Sequence, residues 1–250
     1  MILEKFKKKI STNPCKGIFS KTLDSNFVEA AGIAGLDFII LDMEHGPAHY
    51  DIMQNHIRAS ILTGMLPIVR VEGVNEHAIG AALDAGALGV QVPNISTKAE
   101  AELAVRAAKY HPYGMRGVCR FVNSGSYGLI DKKTYFEKAN DTLVILQVEG
   151  VEGINNLDSI LEVDGVDILF VGPYDLSQSI GKPGEVDSPE VLKLMQSIAN
   201  KAKIRNVVLG AFSDCRDRDN SLIDEGFRYI AHSVDINIFG TAVKKLMSDE

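Results

Sequence analysis

Four side chains draw the eye because each follows a short apolar run. They are His45, Arg70, Glu149 and Asp175. Two acidic groups from neighbouring strands can hold a hard divalent cation such as Mg²⁺ or Mn²⁺, with waters in the other positions. Such a cation leaves room for a 2-oxo acid to chelate through its keto and carboxylate oxygens. It then acts as a Lewis acid on charge that develops when a neighbouring C–H or C–C bond breaks. Arg70 can add a second positive group to the same oxygen. His45, with an ordinary pKa near neutrality, can carry the proton.

Each residue also has a plainer reading. Asp175 can cap a helix beginning at Leu176, and Arg70 can pair with a surface carboxylate. Asp42 and Glu44 are not expected to turn inward together, which leaves one of them as support, with Glu44 orienting Arg70. His49, His56, His77, His111 and His232 show no H-E-x-x-H spacing and read as surface or structural groups. Arg116 and Arg120 flank a loop and can meet an acidic substrate or simply be solvated. What favours chemistry is the joint placement of these groups at the ends of different strands.

The elements that must position them alternate along the chain. Strands are expected near 17–20, 37–42, 66–71, 89–93, 142–149, 166–172, 207–212 and 229–232. Helix-period segments follow at 25–35, 51–62, 75–85, 97–109, 151–161, 189–204, 218–225 and 236–247. Asn75 suits an N-cap, Thr97 with Glu100 forms a capping-box pattern, and Gly35 suits a helix end. Nearly continuous apolar strands such as Val166-Asp167-Ile168-Leu169-Phe170-Val171 point to a parallel sheet covered on both faces. Eight such units in 250 residues favour an α/β fold, a single-domain (β/α)8 TIM barrel. An open doubly wound sheet ranks below it, because no G-x-G-x-x-G opens the first helix. A short helix is expected over 1–11, and 113–131 is the one long irregular stretch. In a barrel the catalytic groups stand at the C-terminal strand ends, where Asp42-Met43-Glu44-His45, Arg70, Gln147-Val148-Glu149 and Pro173-Tyr174-Asp175 fall.

Composition narrows the partners. The chain is 46% apolar and carries a net charge of −7, which argues against nucleic acid. Its three cysteines lack a C-x-x-C pair, so neither a disulfide framework nor a thiolate zinc site is expected. The lysine-rich start has no apolar segment after it, and the longest apolar runs are strand-sized. A cytoplasmic protein without a membrane partner is the expectation.

Six segments together resemble one family. They are Asp42-Met43-Glu44-His45-Gly46-Pro47, Pro67-Ile68-Val69-Arg70-Val71, Gly86-Ala87-Leu88-Gly89-Val90-Gln91-Val92-Pro93, Tyr110-His111-Pro112-Tyr113-Gly114-Met115-Arg116-Gly117, Gln147-Val148-Glu149 and Phe170-Val171-Gly172-Pro173-Tyr174-Asp175-Leu176-Ser177. In this order, from about Gly17 to the last helix, they look like the HpcH/HpaI aldolases, metal-dependent 2-oxo-acid aldolases related to citrate lyase β subunits. The resemblance implies that Glu149 and Asp175 bind the divalent metal, Mg²⁺ or Mn²⁺ with Co²⁺ or Zn²⁺ as further options. It implies that Arg70 stabilises a pyruvate enolate and that His45 is the acid/base, its basicity raised by Asp84. It also gives Gln147 and the backbone at Tyr174-Asp175 the task of holding the oxo acid. A homohexamer built as a trimer of dimers, with the last helix exchanged between subunits, is implied as well. Phe19 stands where some members carry Trp, and Tyr174 where a small residue is common, so the aldehyde side differs.

The resulting expectation is a carbon–carbon lyase. It would cleave a 4-hydroxy-2-oxo acid, of the 2-keto-3-deoxy sugar acid or 4-hydroxy-2-oxoheptanedioate type, to pyruvate and an aldehyde through a metal-stabilised enolate. A Claisen-type or citrate-synthase-like enzyme on the same barrel is the alternative. A barrel that binds a small acid without turnover is the non-enzymatic one. A lysine-dependent aldolase using Lys21, just after the first strand, ranks lower.

Overall fold

A computed structural model of the protein describes residues 1–248. Eight parallel strands close into a barrel in the order of the chain: β1 (Cys15–Ser20), β2 (Phe38–Asp42), β3 (Leu66–Arg70), β4 (Gly89–Val92), β5 (Leu143–Val148), β6 (Ile168–Val171), β7 (Val208–Ser213) and β8 (Tyr229–Val234). The (β/α)8 architecture expected from the alternating pattern is therefore the observed one. Among the described residues the helices are α1 (Ile2–Ile10), α2 (Ser25–Ile33), α3 (Tyr50–Thr63), α4 (Glu76–Asp84), α5 (Lys98–Ala108), α6 (Lys132–Ala139), α7 (Val151–Asn155), α8 (Leu157–Ile160), α9 (Pro173–Ser179), α10 (Pro189–Ile204), α11 (Arg216–Asp224) and α12 (Asp235–Met247).

Side chains alternate between two cores, as the period of two along a strand requires. Phe38, Ile40, Leu66, Ile68, Leu143, Ile145, Ile168, Phe170 and Tyr229 fill the barrel interior. Ile39, Leu41, Val69, Val90, Val144, Leu146 and Leu169 face outward against the helices. Helix α1 closes the bottom: Phe6 meets Phe38 and Tyr229 edge-on at 6.0 and 6.4 Å, and those two rings stack at 3.9 Å. These side chains fill the lower half of the barrel, and the interior opens at the C-terminal strand ends.

Several helix starts follow the expected capping chemistry. Asn75 accepts from the backbone N–H groups of His77 and Ala78, and Thr97 and Glu100 form a capping box. Gly35 takes the positive φ expected just past a helix. Other boundaries differ. The segment 151–161 breaks at Asn156 into α7 and α8. Helix α6, absent from the sequence reading, follows the irregular stretch and is capped by Asp131. Helix α9 starts at Pro173, whose fixed φ suits a first helical position, so Asp175 lies inside its first turn and is not a cap. No helix among the described residues is long and apolar enough to cross a membrane.

Candidate active site

The inward positions of the strands stay apolar until their last residues and then turn polar. In β2 the inward sequence is Phe38, Ile40, Asp42; in β3 it is Leu66, Ile68, Arg70. Parallel register places Asp42 beside Arg70 and Arg70 beside Gln91. In β5 the same alternation brings up Gln147 and then, just past the strand, Glu149. Asp42, Arg70 and Gln147 thus stand at the mouth because an apolar neighbour two residues earlier, Ile40, Ile68 or Ile145, has sealed the floor, and Glu149 lies one step further out.

These groups form one continuous network. Arg70 donates from Nε and Nη2 to the two oxygens of Asp42, at 2.9 and 2.8 Å, and its Nη1 lies 3.0 Å from Glu44 Oε2. Glu44 Oε1 accepts from Asn94 Nδ2 at 3.0 Å, and the Asn94 backbone N–H donates to Glu149 Oε1 at 2.9 Å. Gln147 Nε2 donates to Glu149 Oε2 at 2.5 Å, and Gln91 Nε2 to Gln147 Oε1 at 2.6 Å. Asp42 and Glu44 therefore both turn to Arg70, against the expectation that only one could. The tight turn at Gly46 allows it, since a Cβ there would meet the Asp42 carbonyl oxygen at 2.0 Å.

Burial and charge set the carboxylates apart. Burial raises the Asp42 pKa, but the Arg70 hydrogen bonds and charge, helped by the His45 backbone N–H and Lys21, hold the carboxyl below its ordinary value. Glu44 is raised by burial, only partly offset by the Arg70 and His45 charges. Glu149 is raised to about 7. Burial is the main cause, opposed by hydrogen bonds from Gln147 and Asn94 and reinforced by the charges of Asp175 and Glu44.

Asp175 approaches Glu149 across Gly172. A Cβ on that glycine would lie 2.6 Å from Glu149 Oε2 and 3.6 Å from Asp175 Oδ2, so both carboxylates border one small space. Among the described residues no group of three or more His, Cys, Asp or Glu side chains forms an all-protein metal cage. Two carboxylates and open space instead match the way Mg²⁺ is commonly held, with solvent or substrate oxygens completing the shell.

The space opens into a cavity of about 240 Å³ whose wall includes His45, Arg70, Gln147, Tyr174 and Asp175. Five of the seven expected site residues thus line one cavity, and Glu149 flanks it at Gly172. Its floor is aromatic: Phe19 packs on Phe170 and Phe212 at 6.1 and 6.0 Å and lies under the Arg70 guanidinium at 4.7 Å. Tyr174 donates to Asp214 Oδ2 at 2.6 Å, and that bond, with burial, lifts its pKa to about 12. Its hydroxyl stays protonated and tied to the rim.

Asp84 is the exception. Helix α4 leaves the mouth after β3 and Asp84 is its last residue, so about 13 Å of helix carries it toward the other end of the barrel. There Asp84 Oδ1 accepts from Arg116 at 2.5 Å. Within one chain it does not reach His45. Arg116 is buried by that pair and by the Tyr110 ring, while Arg120 holds the carbonyls of Gly128 and Ile130. Both arginines brace the long loop and neither lines the cavity.

Sequence reasoning assigned no role to Gln91, Asn94 or Gly172. Gln91 carried a signal, being a polar residue at an inward strand position. Asn94 adopts a left-handed φ of 59° directly after Pro93, a conformation Asn tolerates better than most residues.

Comparisons with known proteins identify the family and the fold. Residues 16–242 match the family model described as HpcH/HpaI aldolase/citrate lyase. A 5-keto-4-deoxy-D-glucarate aldolase of Escherichia coli (strain K12) is 32% identical over 231 residues, 92% of this chain and 90% of that relative. An HpcH/HpaI aldolase/citrate lyase family protein from Burkholderia cenocepacia J2315 superposes with a TM-score of 0.92 at 30% identity, covering 97% of each chain. The citrate synthase SbnG superposes with a TM-score of 0.85 at 26% identity, covering 99% of this chain and 98% of the other. This chain belongs to the HpcH/HpaI aldolase/citrate lyase family.

Proposed function

We propose that the protein is a divalent-metal-dependent aldolase that cleaves a 4-hydroxy-2-oxo acid to pyruvate and an aldehyde and catalyses the reverse addition. The observation that carries this reading is the convergence of Glu149 and Asp175 on the space beside Gly172, in a cavity that Arg70 and His45 also line. The E. coli relative named for 5-keto-4-deoxy-D-glucarate supports it.

Glu149 and Asp175 would hold the metal, which supplies Lewis-acid polarisation of the 2-oxo group. Gln147 fixes one Glu149 oxygen and the Asn94 N–H the other, so the carboxylate is aimed before any ligand arrives. Arg70 is held by Asp42, to which Nε and Nη2 donate, and by the charge of Glu44 beside Nη1. N–H groups on Nη1 and Nη2 then remain to donate to the C2 oxygen as negative charge develops there. His45 takes the proton from the C4 hydroxyl, the C3–C4 bond breaks, the C4 fragment leaves as the aldehyde, and the pair from that bond stays on the pyruvate fragment as its enolate. The proton held on His45 then goes to C3 and completes pyruvate. The aromatic floor keeps bulk water from the enolate.

Thorough chelation, or Glu149→Gln, should reduce pyruvate release by at least about 100-fold. Full turnover after verified metal removal would refute the mechanism. The likeness to the citrate synthase SbnG supports a second reading, in which the same enolate meets an oxo-acid or thioester acceptor. Separate incubations with pyruvate, oxaloacetate and acetyl-CoA, each with a panel of acceptors, distinguish the two. We further propose a homo-oligomer, a hexamer in the family's manner, in which α12 packs on a neighbouring subunit. Its support is the apolar surface that α12 exposes.

A further inference from the structure

Lys21 is a cation in the cavity wall that the reaction above does not use. Its ammonium lies 3.5 Å from Asp42 Oδ2 and makes no hydrogen bond among the described residues. Asp42 does not require it, because both carboxylate oxygens already accept from Arg70. The side chain keeps 30% exposure and forms part of the cavity wall.

Its position is fixed from behind. Asp235, the first residue of α12, accepts from the backbone N–H groups of Lys21 and Thr22 at 3.1 Å and from Ser20 Oγ at 2.7 Å. This clamp holds the turn after β1 against the end of β8. In a closed barrel of eight staves in chain order, β1 stands across the mouth from β5. Glu149 and Asp175 therefore stand on one side of the cavity, and Lys21, with Asp42 behind it, stands on the other. Arg70 and His45 lie along the rim between Lys21 and β5. With its oxo-acid head beside Glu149 and Asp175, a 4-hydroxy-2-oxo acid would have its C4 substituent, the part that leaves as the aldehyde, free to reach across the cavity toward Lys21.

We propose that Lys21 binds an anionic group at the far end of the substrate, so that the enzyme selects aldehydes bearing a carboxylate. The inference rests on the aldolase reading and deepens it. A partly exposed ammonium that makes no hydrogen bond to Asp42 keeps its donors for a charge-assisted bond to a carboxylate, a bond that a neutral tail does not offer. Lys21 is thereby a specificity residue, and its ion pair with Asp42 keeps it from serving as a desolvated nucleophilic amine.

The test is a ratio. Aldol addition of pyruvate would be measured with glyoxylate, malonate semialdehyde and succinate semialdehyde, each against the neutral aldehyde of equal length: acetaldehyde, propanal and butanal. The wild-type enzyme should favour the acid of at least one pair, Lys21→Met should lower that ratio at least tenfold, and Lys21→Arg should restore most of it. A wild-type ratio near one for every pair, or a Lys21→Met variant that loses acid and neutral substrates equally, would overturn the proposal. Exchange of pyruvate methyl protons in D₂O by the wild-type holoenzyme tests the underlying chemistry separately. Exchange with an unmoved ratio removes only the role of Lys21, whereas absence of exchange removes the aldolase reading and this inference with it.

Discussion

A methyl group at Gly172 would occupy the space between Glu149 Oε2 and Asp175 Oδ2. The backbone there has φ −90°, so alanine is tolerated conformationally and the substitution reports on that space alone. Gly172→Ala should weaken Mn²⁺ binding measured by calorimetry and lower kcat/KM about 100-fold, as expected when a catalytic constellation is displaced by about 1 Å. The far-ultraviolet circular dichroism should stay that of the barrel. Unchanged metal affinity would show that the two carboxylates do not share a ligand. Glu149 makes a second residue-level prediction. Its folded pKa of about 7 lies above the ordinary carboxylate value, so the folded state holds a proton that the unfolded chain releases between those values. Stability of the metal-free protein must then fall as pH rises from about 5 to 7, by at most about 3 kcal/mol from this group. Glu44, also raised, acts in the same direction, while the lowered Asp42 matters only at more acidic pH. Urea midpoints of chelated protein across this range should show the decline, and Glu149→Gln should flatten it.

At the scale of the element, one regularity made much of the site legible. A strand in a filled barrel must alternate, and the last inward position of β2, β3 and β5 is polar because the mouth is open to water. Asp42, Arg70, Gln147 and Glu149 could be placed from that alone, and Asp175 followed from its place beyond β6. Asn94 could not, because its part depends on a left-handed turn after Pro93 that spans the gap from Glu44 to Glu149. Asp84 was not legible in this way: its role was implied by a motif match alone, and within one chain α4 carries its last residue away from the mouth, to Arg116. Elements also depend on one another through single groups. Asp235 joins the start of α12 to the turn after β1 by accepting from Ser20, Lys21, Thr22 and Ile236. Asp235→Ala should lower stability by about 1–3 kcal/mol, since buried donors lose their acceptor. A urea midpoint equal to that of the wild type would show that the clamp is dispensable.

At the scale of the whole molecule, the barrel seals its own interior, yet α12 is left largely bare. Only Asp235 of this helix is buried, while Ile236, Phe239, Val243, Leu246 and Met247 are exposed at helical spacing, Leu246 at 83% and Met247 at 79%. Phe239 has a partial cover in Phe27, whose ring meets it edge-on at 6.0 Å, and Phe27 itself remains 47% exposed. A one-sided apolar stripe of this kind gains stability only when something buries it, and isolated exposed residues would not recur along a single face. The partner we propose for it is a second copy of the chain, as a symmetric assembly would supply. Light scattering on the purified protein should therefore give a mass that is a multiple of 27.2 kDa, sixfold for a hexamer. The double substitution Leu246→Asp and Met247→Asp leaves the Asp235 clamp and the cavity untouched, and it should shift the mass to a smaller species. A wild-type protein that sediments as a monomer at micromolar concentration would exclude α12 as an intersubunit contact.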